Sequence, residues 1–320
     1  MTRYVARRVL QMALTLFLIV TVLFLLLKIT PGSPFLNPKI TPELRAMLEA
    51  KYGLDKPLLV QYFMYLNNLL HGDMGSSIIM IKNYPVWDMV SGPLAITVRL
   101  GLIALFFGSF VGILLGAIAA LNRNHFWDHF NTIVAVLGVS VPSFVVAMIL
   151  LMIRRKFPFI PVVFTAANPS FGTTIWDEII SMTLPILALS FSVIASIARY
   201  TRTELVEVYS SDFILLARAK GLNKVQVFTK HAFRNALIPI VTIMGPMMVA
   251  LITGSTVVER FFGVPGLAQM AIKSINVKDT FVTLGTEGLY SAMFIFTMFV
   301  VDIAYGIIDP RIRLVGGKKE

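Results

Sequence analysis

No cysteine occurs in the 320 residues, which excludes a disulfide framework, a zinc–thiolate site and a cysteine nucleophile and leaves the redox compartment open. Charge is sparse too: Asp, Glu, Lys and Arg make up 14% of the chain, against about 25% in soluble domains. The G-x-x-x-x-G-K-[ST] pattern is absent, so the chain has no P-loop in which to cradle nucleotide phosphates and is not expected to hydrolyse ATP itself. Neither HExxH nor GxSxG is present, which leaves an intramembrane protease or hydrolase without its machinery. No residue pattern asks for a cofactor.

What the chain has is apolar length. Hydrophobic residues make up 57% of it, in six runs near 9–29, 95–121, 132–153, 179–198, 237–258 and 286–308. About twenty apolar residues cross a hydrocarbon core of roughly 30 Å, so an all-α polytopic membrane protein with six transmembrane helices is expected. Residues 1–8 lead into the first run without a small-residue cleavage site, which fits a retained first span rather than a removed signal peptide. The net charge of +11 raises the question of nucleic acid, but the cations cluster beside the apolar runs, where membrane orientation accounts for them. Fifteen Lys and Arg lie outside the spans on the side of the N-terminus, against six in the short loops opposite. Both termini and the 199–236 loop are therefore expected in the cytoplasm. Arg154-Arg155-Lys156 runs against this orientation and reads as a cluster snorkelling to the outer interface.

The 65-residue segment 30–94 is patterned. Thr41-Pro42-Glu43 starts an acid-capped helix, and the turn Leu54-Asp55-Lys56-Pro57-Leu58 precedes an aromatic helix over Val60–Leu70, so a small external helical subdomain is expected. In the second span Gly108, Gly112 and Gly116 recur every four residues, a smooth stripe for close helix approach. Pro142, Pro185 and Pro246 fall inside spans, where each frees a backbone carbonyl that bends a helix or lines a cavity. His125 and His129 flank Asp128 on a short loop, but a metal site wants three or four ligands and none is assigned.

The chain is organised around residues 212–239, DFILLARAKGLNKVQVFTKHAFRNALIP. Phe213, Leu216 and Ala217 have helical spacing, Asp212 suits the N-cap or first turn, and Gly221 suits a helix stop. A second basic stretch, Lys224 to Arg234, runs into the next span. On the residues alone this is a helix lying flat, a turn, and a helix entering the membrane, and an interfacial helix without a partner is an equal reading.

Ala-Arg-Ala-Lys-Gly at 217–221, followed by His-Ala-Phe-Arg-Asn-Ala-Leu-Ile-Pro at 231–239, resembles the cytoplasmic coupling loop of the binding-protein-dependent ABC importer permeases. It has the wording of the oligopeptide, dipeptide and nickel systems rather than of sugar and amino-acid importers. GLDKPLLVQYFMYLNNLLHGDMGSS at 53–77 is similar to the external region of the B-type permease of such importers, and VDIAYGIIDPR at 301–311 to their last helix. The resemblance implies a type I importer permease fold. It divides the chain into a tail and first helix at 1–29, an external subdomain at 30–94, a five-helix core at 95–308 and a cytoplasmic tail at 309–320. It implies ATPase coupling by Asp212, Phe213, Leu216, Ala217, Arg218, Ala219, Lys220 and Gly221. It places Glu259, Phe262, Gly263, Pro265 and Gly266 in an external loop near the pathway. Its implied partners are a homologous second permease, two P-loop ATPase subunits, an extracytoplasmic binding protein, a peptide and the bilayer of a bacterial inner membrane, with no nucleic acid.

Two other classes remain. An ion-coupled secondary transporter would use Asp302 or Glu287 as its coupling carboxylate, although the repeated halves common in that class are not visible. A membrane scaffold would move nothing. For Asp302 the family wording favours a structural partner over a proton relay.

Overall fold

A computed structural model describes residues 2–30, 41–167, 170 and 172–308; the expected tail 309–320 and residues 31–40 lie outside the described residues. The described chain is helical, with no β-strand. In order come α1 (Thr2–Ile29), α2 (Pro42–Lys51), α3 (Leu58–Leu70), α4 (Val86–Leu121), α5 (Phe126–Ser140), α6 (Ser143–Arg154), α7 (Ile175–Tyr209) and α8 (Asp212–Ala219). There follow α9 (Lys224–Gln226), a π-helical turn (Val227–Ala232), α10 (Phe233–Gly254), α11 (Thr256–Phe261), α12 (Leu267–Val277) and α13 (Thr280–Ile308).

Five helices are long and apolar enough to cross a membrane: Val5–Ile29, Val86–Leu121, Ile175–Tyr209, Lys224–Ile252 and Thr280–Ile303. The sixth expected crossing, 132–153, is not one straight helix but the pair α5 and α6, bent by 114°. Pro142 explains the break. Its ring disfavours the α conformation in the preceding residue, and Val141 is extended at φ −90°, ψ 119°. Pro142 then stands as N-cap of α6, where its missing N–H costs nothing. Pro185 and Pro246, by contrast, sit within continuous helices.

The contacts divide the chain into two compact units, Met1–Thr97 with Pro265–Phe296, and Val98–Val264 with Thr297–Glu320. In the first, Val20 and Phe24 of α1 pack with Tyr65 of α3 and Leu284 of α13, the Phe24 and Tyr65 rings stacking at 5.8 Å. Thr21 Oγ1 and Tyr62 Oη share a hydrogen bond of 2.7 Å, and Lys28 Nζ donates to Gln61 Oε1 at 2.5 Å. Among the described residues, the segment expected as an external subdomain packs through α3 into one cluster with α1 and α13. Its end is fastened by Asp279, fully buried, whose carboxylate accepts from Ser77 Oγ at 2.6 Å and from the backbone N–H groups of Ile78, Ile79 and Met80 at 3.2, 2.9 and 2.9 Å.

In the second unit α7 is the central helix, and glycines bring its neighbours against it. A Cβ on Gly108 or Gly112 would stand 2.8 Å from the Cβ of Val193 or Ile197, and one on Gly116 would stand 2.5 Å from the Ala198 carbonyl oxygen. The expected glycine stripe of α4 is thus the face against which α7 lies, and Gly138 of α5 meets Ala195 of α7 in the same way. Without a hydrophobic force between helices in lipid, such close van der Waals packing is what holds them together.

Candidate functional site

Helix α7 ends at Tyr209, and Ser210 and Ser211 turn the chain into α8. Ser211 is the N-cap and Asp212 lies in the first turn, where its charge complements the helix dipole. At the other end the backbone reaches φ +80° at Gly221, a left-handed conformation that glycine adopts without penalty. The Leu222 N–H donates to Ala217 O at 3.3 Å and the Gly221 N–H to Arg218 O at 2.9 Å, closing the helix. Asn223 and Gln226 then form a reciprocal capping box, which starts the next helix two residues after the stop. The basic stretch is continuous with α10 through the π turn at Val227–Ala232, an i→i+5 geometry frequent at functional sites.

The seat of α8 is apolar. Ile214 and Ala217 pack with Ala117 and Ala120 of α4, Leu205 of α7, Val227 and Ala232 of the π turn and Ala236 of α10. The inward face is therefore Ile214 and Ala217, which splits the trio Phe213, Leu216 and Ala217 between two sides of the helix, Ala217 being 4% exposed. Asp212, Leu215, Leu216 and Ala219 point away, with Leu215 at 67% and Leu216 at 56% exposure. Phe213 and Arg218 lie on the flanks, and Lys220 and Gly221 are exposed beyond the end. Leu215, absent from the expected set, is the most exposed large apolar residue of the helix.

The second group of candidates lies beyond the far end of α10, a helix of 22 residues. Glu259 is fully buried and accepts from Ser255 Oγ at 2.8 Å. Phe262 is also fully buried, and its carbonyl accepts from the Phe164 N–H at 3.0 Å. Gly263 has φ +63°, and a Cβ there would stand 3.0 Å from Val163 Cγ1. Pro265 is exposed, while buried Gly266 caps α12. The Leu267 N–H that follows is satisfied by Thr97 Oγ1 at 2.9 Å. The turn is thus built by packing, with Glu259 held inside rather than offered to solvent.

The loop 122–131 carries an ion pair that the sequence reading passed over. Arg202 of α7 donates through Nε and Nη2 to the two carboxylate oxygens of Asp128 at 2.9 Å each, and the Asn124 N–H adds a third bond at 2.9 Å. Asp128 is thereby committed, His125 Nδ1 contacts Arg123 O, and no trio of His, Cys, Asp or Glu able to hold a metal exists among the described residues.

Comparison with known proteins gives this architecture its context. Residues 112–314 match the family model of the binding-protein-dependent transport system inner membrane component, and residues 1–100 match the model of its N-terminal region. The chain is 40% identical over 315 residues to the dipeptide transport system permease protein DppB of Lactococcus lactis subsp. cremoris, covering 98% of this chain and 100% of that protein. It is 40% identical over 316 residues to the oligopeptide transport system permease protein OppB of Escherichia coli K12, again covering 98% and 100%. Among solved structures, the inward-facing MetNI methionine ABC transporter aligns with a TM-score of 0.50 at 19% identity, covering 69% of this chain and 96% of that one, a likeness of fold. The chain belongs to the binding-protein-dependent transport system inner membrane component family, as a multi-pass permease subunit of an ABC importer with the type I permease fold.

Proposed function

We propose that this chain is the B-type permease of a peptide importer. It pairs with a homologous but different permease around one pathway, receives substrate from an extracytoplasmic binding protein, and is driven by two P-loop ATPase subunits seated on the 199–236 loop. Its termini and that loop face the cytoplasm of a bacterial cell, and the segment 30–94 faces outward. The near full-length identity of 40% to both dipeptide and oligopeptide permeases carries the substrate class.

For coupling, the supporting observation is the two-sided build of α8. Its inner side is keyed into α4, α7 and α10, while Leu215 and Leu216 are left exposed in a short helix with defined ends. When ATP draws the ATPase subunits together, a helix gripped by its outer face carries the helices on its inner face with it. The equilibrium then shifts from an inward-facing toward an outward-facing state because ATP binds one arrangement better than the other. Chemistry belongs to the partners; this chain transmits and conducts.

The test is uptake of a labelled peptide by the reconstituted complex. Uptake that requires ATP and the binding protein, and that survives a protonophore at constant ATP, is expected. Uptake abolished by the protonophore at constant ATP would instead assign an ion-coupled mechanism.

A further inference from the structure

Helix α2 ends at Lys51, and that end, α3 and the turn at 75–83 border a cavity of 320 Å³ whose lining lies wholly within the first unit. Its floor is made by buried Gly53 and Tyr65 with half-buried Gly75 and Phe281. A Cβ on Gly53 would stand 3.9 Å from Lys56 Cδ and from Met64 Cε, so the glycine keeps the space open. The rim is polar and exposed, with Lys51, Lys56, Asn68 and Asn83. No acidic side chain lines the cavity among the described residues. We infer that this cavity binds the C-terminal carboxylate and the last side chain of a short peptide.

Lys51 and Lys56 form no ion pair among the described residues. The Lys51 ammonium lies over the Tyr52 ring at 5.6 Å, and Lys56 Nζ faces Met64 Sδ at 3.5 Å. Tyr52 Oη donates to Asn83 Oδ1 at 2.9 Å. That bond commits the Asn83 oxygen and leaves its amide hydrogens, like those of Asn68, without a partner among the described residues. Two cations and two amide donors with no opposing acid suit an anion. The aromatic floor of Tyr65 and Phe281 suits an organic one, because a free phosphate would leave it uncovered. The volume stands at the lower end of the roughly 300–1,000 Å³ typical of ligand pockets, enough for a chain end. With no acid to hold an ammonium, the other end of the peptide stays outside, so dipeptides and longer chains fit alike. The identification of the anion as a peptide rests on the importer reading, in which the segment 30–94 faces the side from which substrate arrives. A carboxylate on the binding protein is the competing occupant, but Tyr65 at 5% exposure puts the floor within easier reach of a free chain end than of a side chain fixed to a folded surface.

The test is photocrosslinking of the assembled importer in nanodiscs, without its binding protein, by a dipeptide whose C-terminal residue is photoleucine. Crosslinks mapped by mass spectrometry are expected at the lining residues within 50–83 and at Phe281. An unlabelled dipeptide should compete, and inorganic phosphate at the same concentration should not. The C-terminal amide of the probe should need about tenfold more for half-maximal labelling, at about threefold for each exposed ion pair lost. Lys51→Gln with Lys56→Gln should raise the requirement equally, and both positions are exposed, so folding is spared. N-acetylation of the probe should change nothing, nor should Lys82→Gln, an exposed cation outside the cavity. Equal labelling by acid and amide overturns the inference, as does labelling that survives the double substitution or yields to phosphate. Shielding of a labelled Lys51→Cys, the chain having no other cysteine, by the binding protein with no peptide crosslink gives the cavity to protein and overturns it too. Peptide uptake is measured on the same preparation with binding protein added. Uptake without crosslinks overturns the inference alone, whereas absence of both overturns the importer reading with it.

Discussion

Arg202 grips Asp128 by both carboxylate oxygens, fastening the first turn of α5 to α7 two turns before α7 ends at Tyr209. The pair is lopsided: the Asp128 side chain is 5% exposed and that of Arg202 31%. Removing the arginine strands a buried carboxylate, whereas removing the carboxylate leaves a guanidinium that already reaches water. Breaking a buried pair costs about 3–5 kcal/mol. Arg202→Ala is therefore expected to destabilise the chain by about 3 kcal/mol and Asp128→Ala by clearly less, with the double variant better than Arg202→Ala alone. Thermal unfolding of the three variants in mild detergent checks this order.

Close helix approach predicts a contrast among glycines. Gly116→Ala places a methyl against the Ala198 carbonyl oxygen, and Gly138→Ala places one against Ala195. Each is expected to cost about 1–3 kcal/mol through overpacking. Gly92→Ala, also inside α4 but with nothing within 4 Å of its new Cβ, should be neutral or stabilising by up to about 1 kcal/mol, because alanine favours the helix. The same unfolding measurement separates the two outcomes.

Asp279 serves four donors at once, so Asp279→Ala should free residues 76–85 from the first unit. The expected loss is about 2–4 kcal/mol, since each orphaned buried donor costs about 1–3 kcal/mol. Ser77→Ala, which leaves the three backbone bonds to Asp279 but also takes the acceptor from the Ile81 N–H, should cost less, about 1–2 kcal/mol. Hydrogen exchange of the 76–85 amides reports the loosening directly, and unchanged protection in Asp279→Ala would contradict the assigned latch.

Orientation is tested by labelling. A cysteine at Asn67, in α3 of the segment proposed to face outward, should react with an impermeant reagent added outside intact cells. Reaction only from the cytoplasmic side would invert the topology.

Much of this architecture was legible in the sequence because its signals are local. Apolar runs of about twenty residues mark crossings, and glycines four apart mark a contact face whichever helix lies on it. The span expected at 132–153 is broken at Pro142, whose effect on Val141 is equally local but leaves the hydropathy of the run unchanged. The inward side of α8 was not legible because Phe213-Ile214-Leu215-Leu216 supplies apolar residues all round a short helix. Only the neighbours from α4, α7 and α10 decide which side is covered, and the pair Ile214 and Ala217, three apart, was the available sign. The bonds of Asp279 to residues some two hundred positions away, and of Arg202 to Asp128, exist only once the chain is folded.

The central claim is that the outer face of α8 couples the permease to ATP hydrolysis, and Leu216→Asp and Leu215→Asp test it most directly. Both positions are exposed in the chain itself, so folding should be spared. A carboxylate placed where an ATPase cleft must bury a leucine forfeits about 2 kcal/mol or more of contact. Ala217→Asp, buried in the seat of α8, is expected instead to impair folding. ATPase activity stimulated by substrate-loaded binding protein is measured in reconstituted membranes beside peptide uptake. Both should fall together by about tenfold or more in Leu215→Asp and Leu216→Asp, with the chain produced at normal levels. Near-normal stimulation and uptake in those two variants would contradict the claim and leave α8 as a helix resting on the membrane surface.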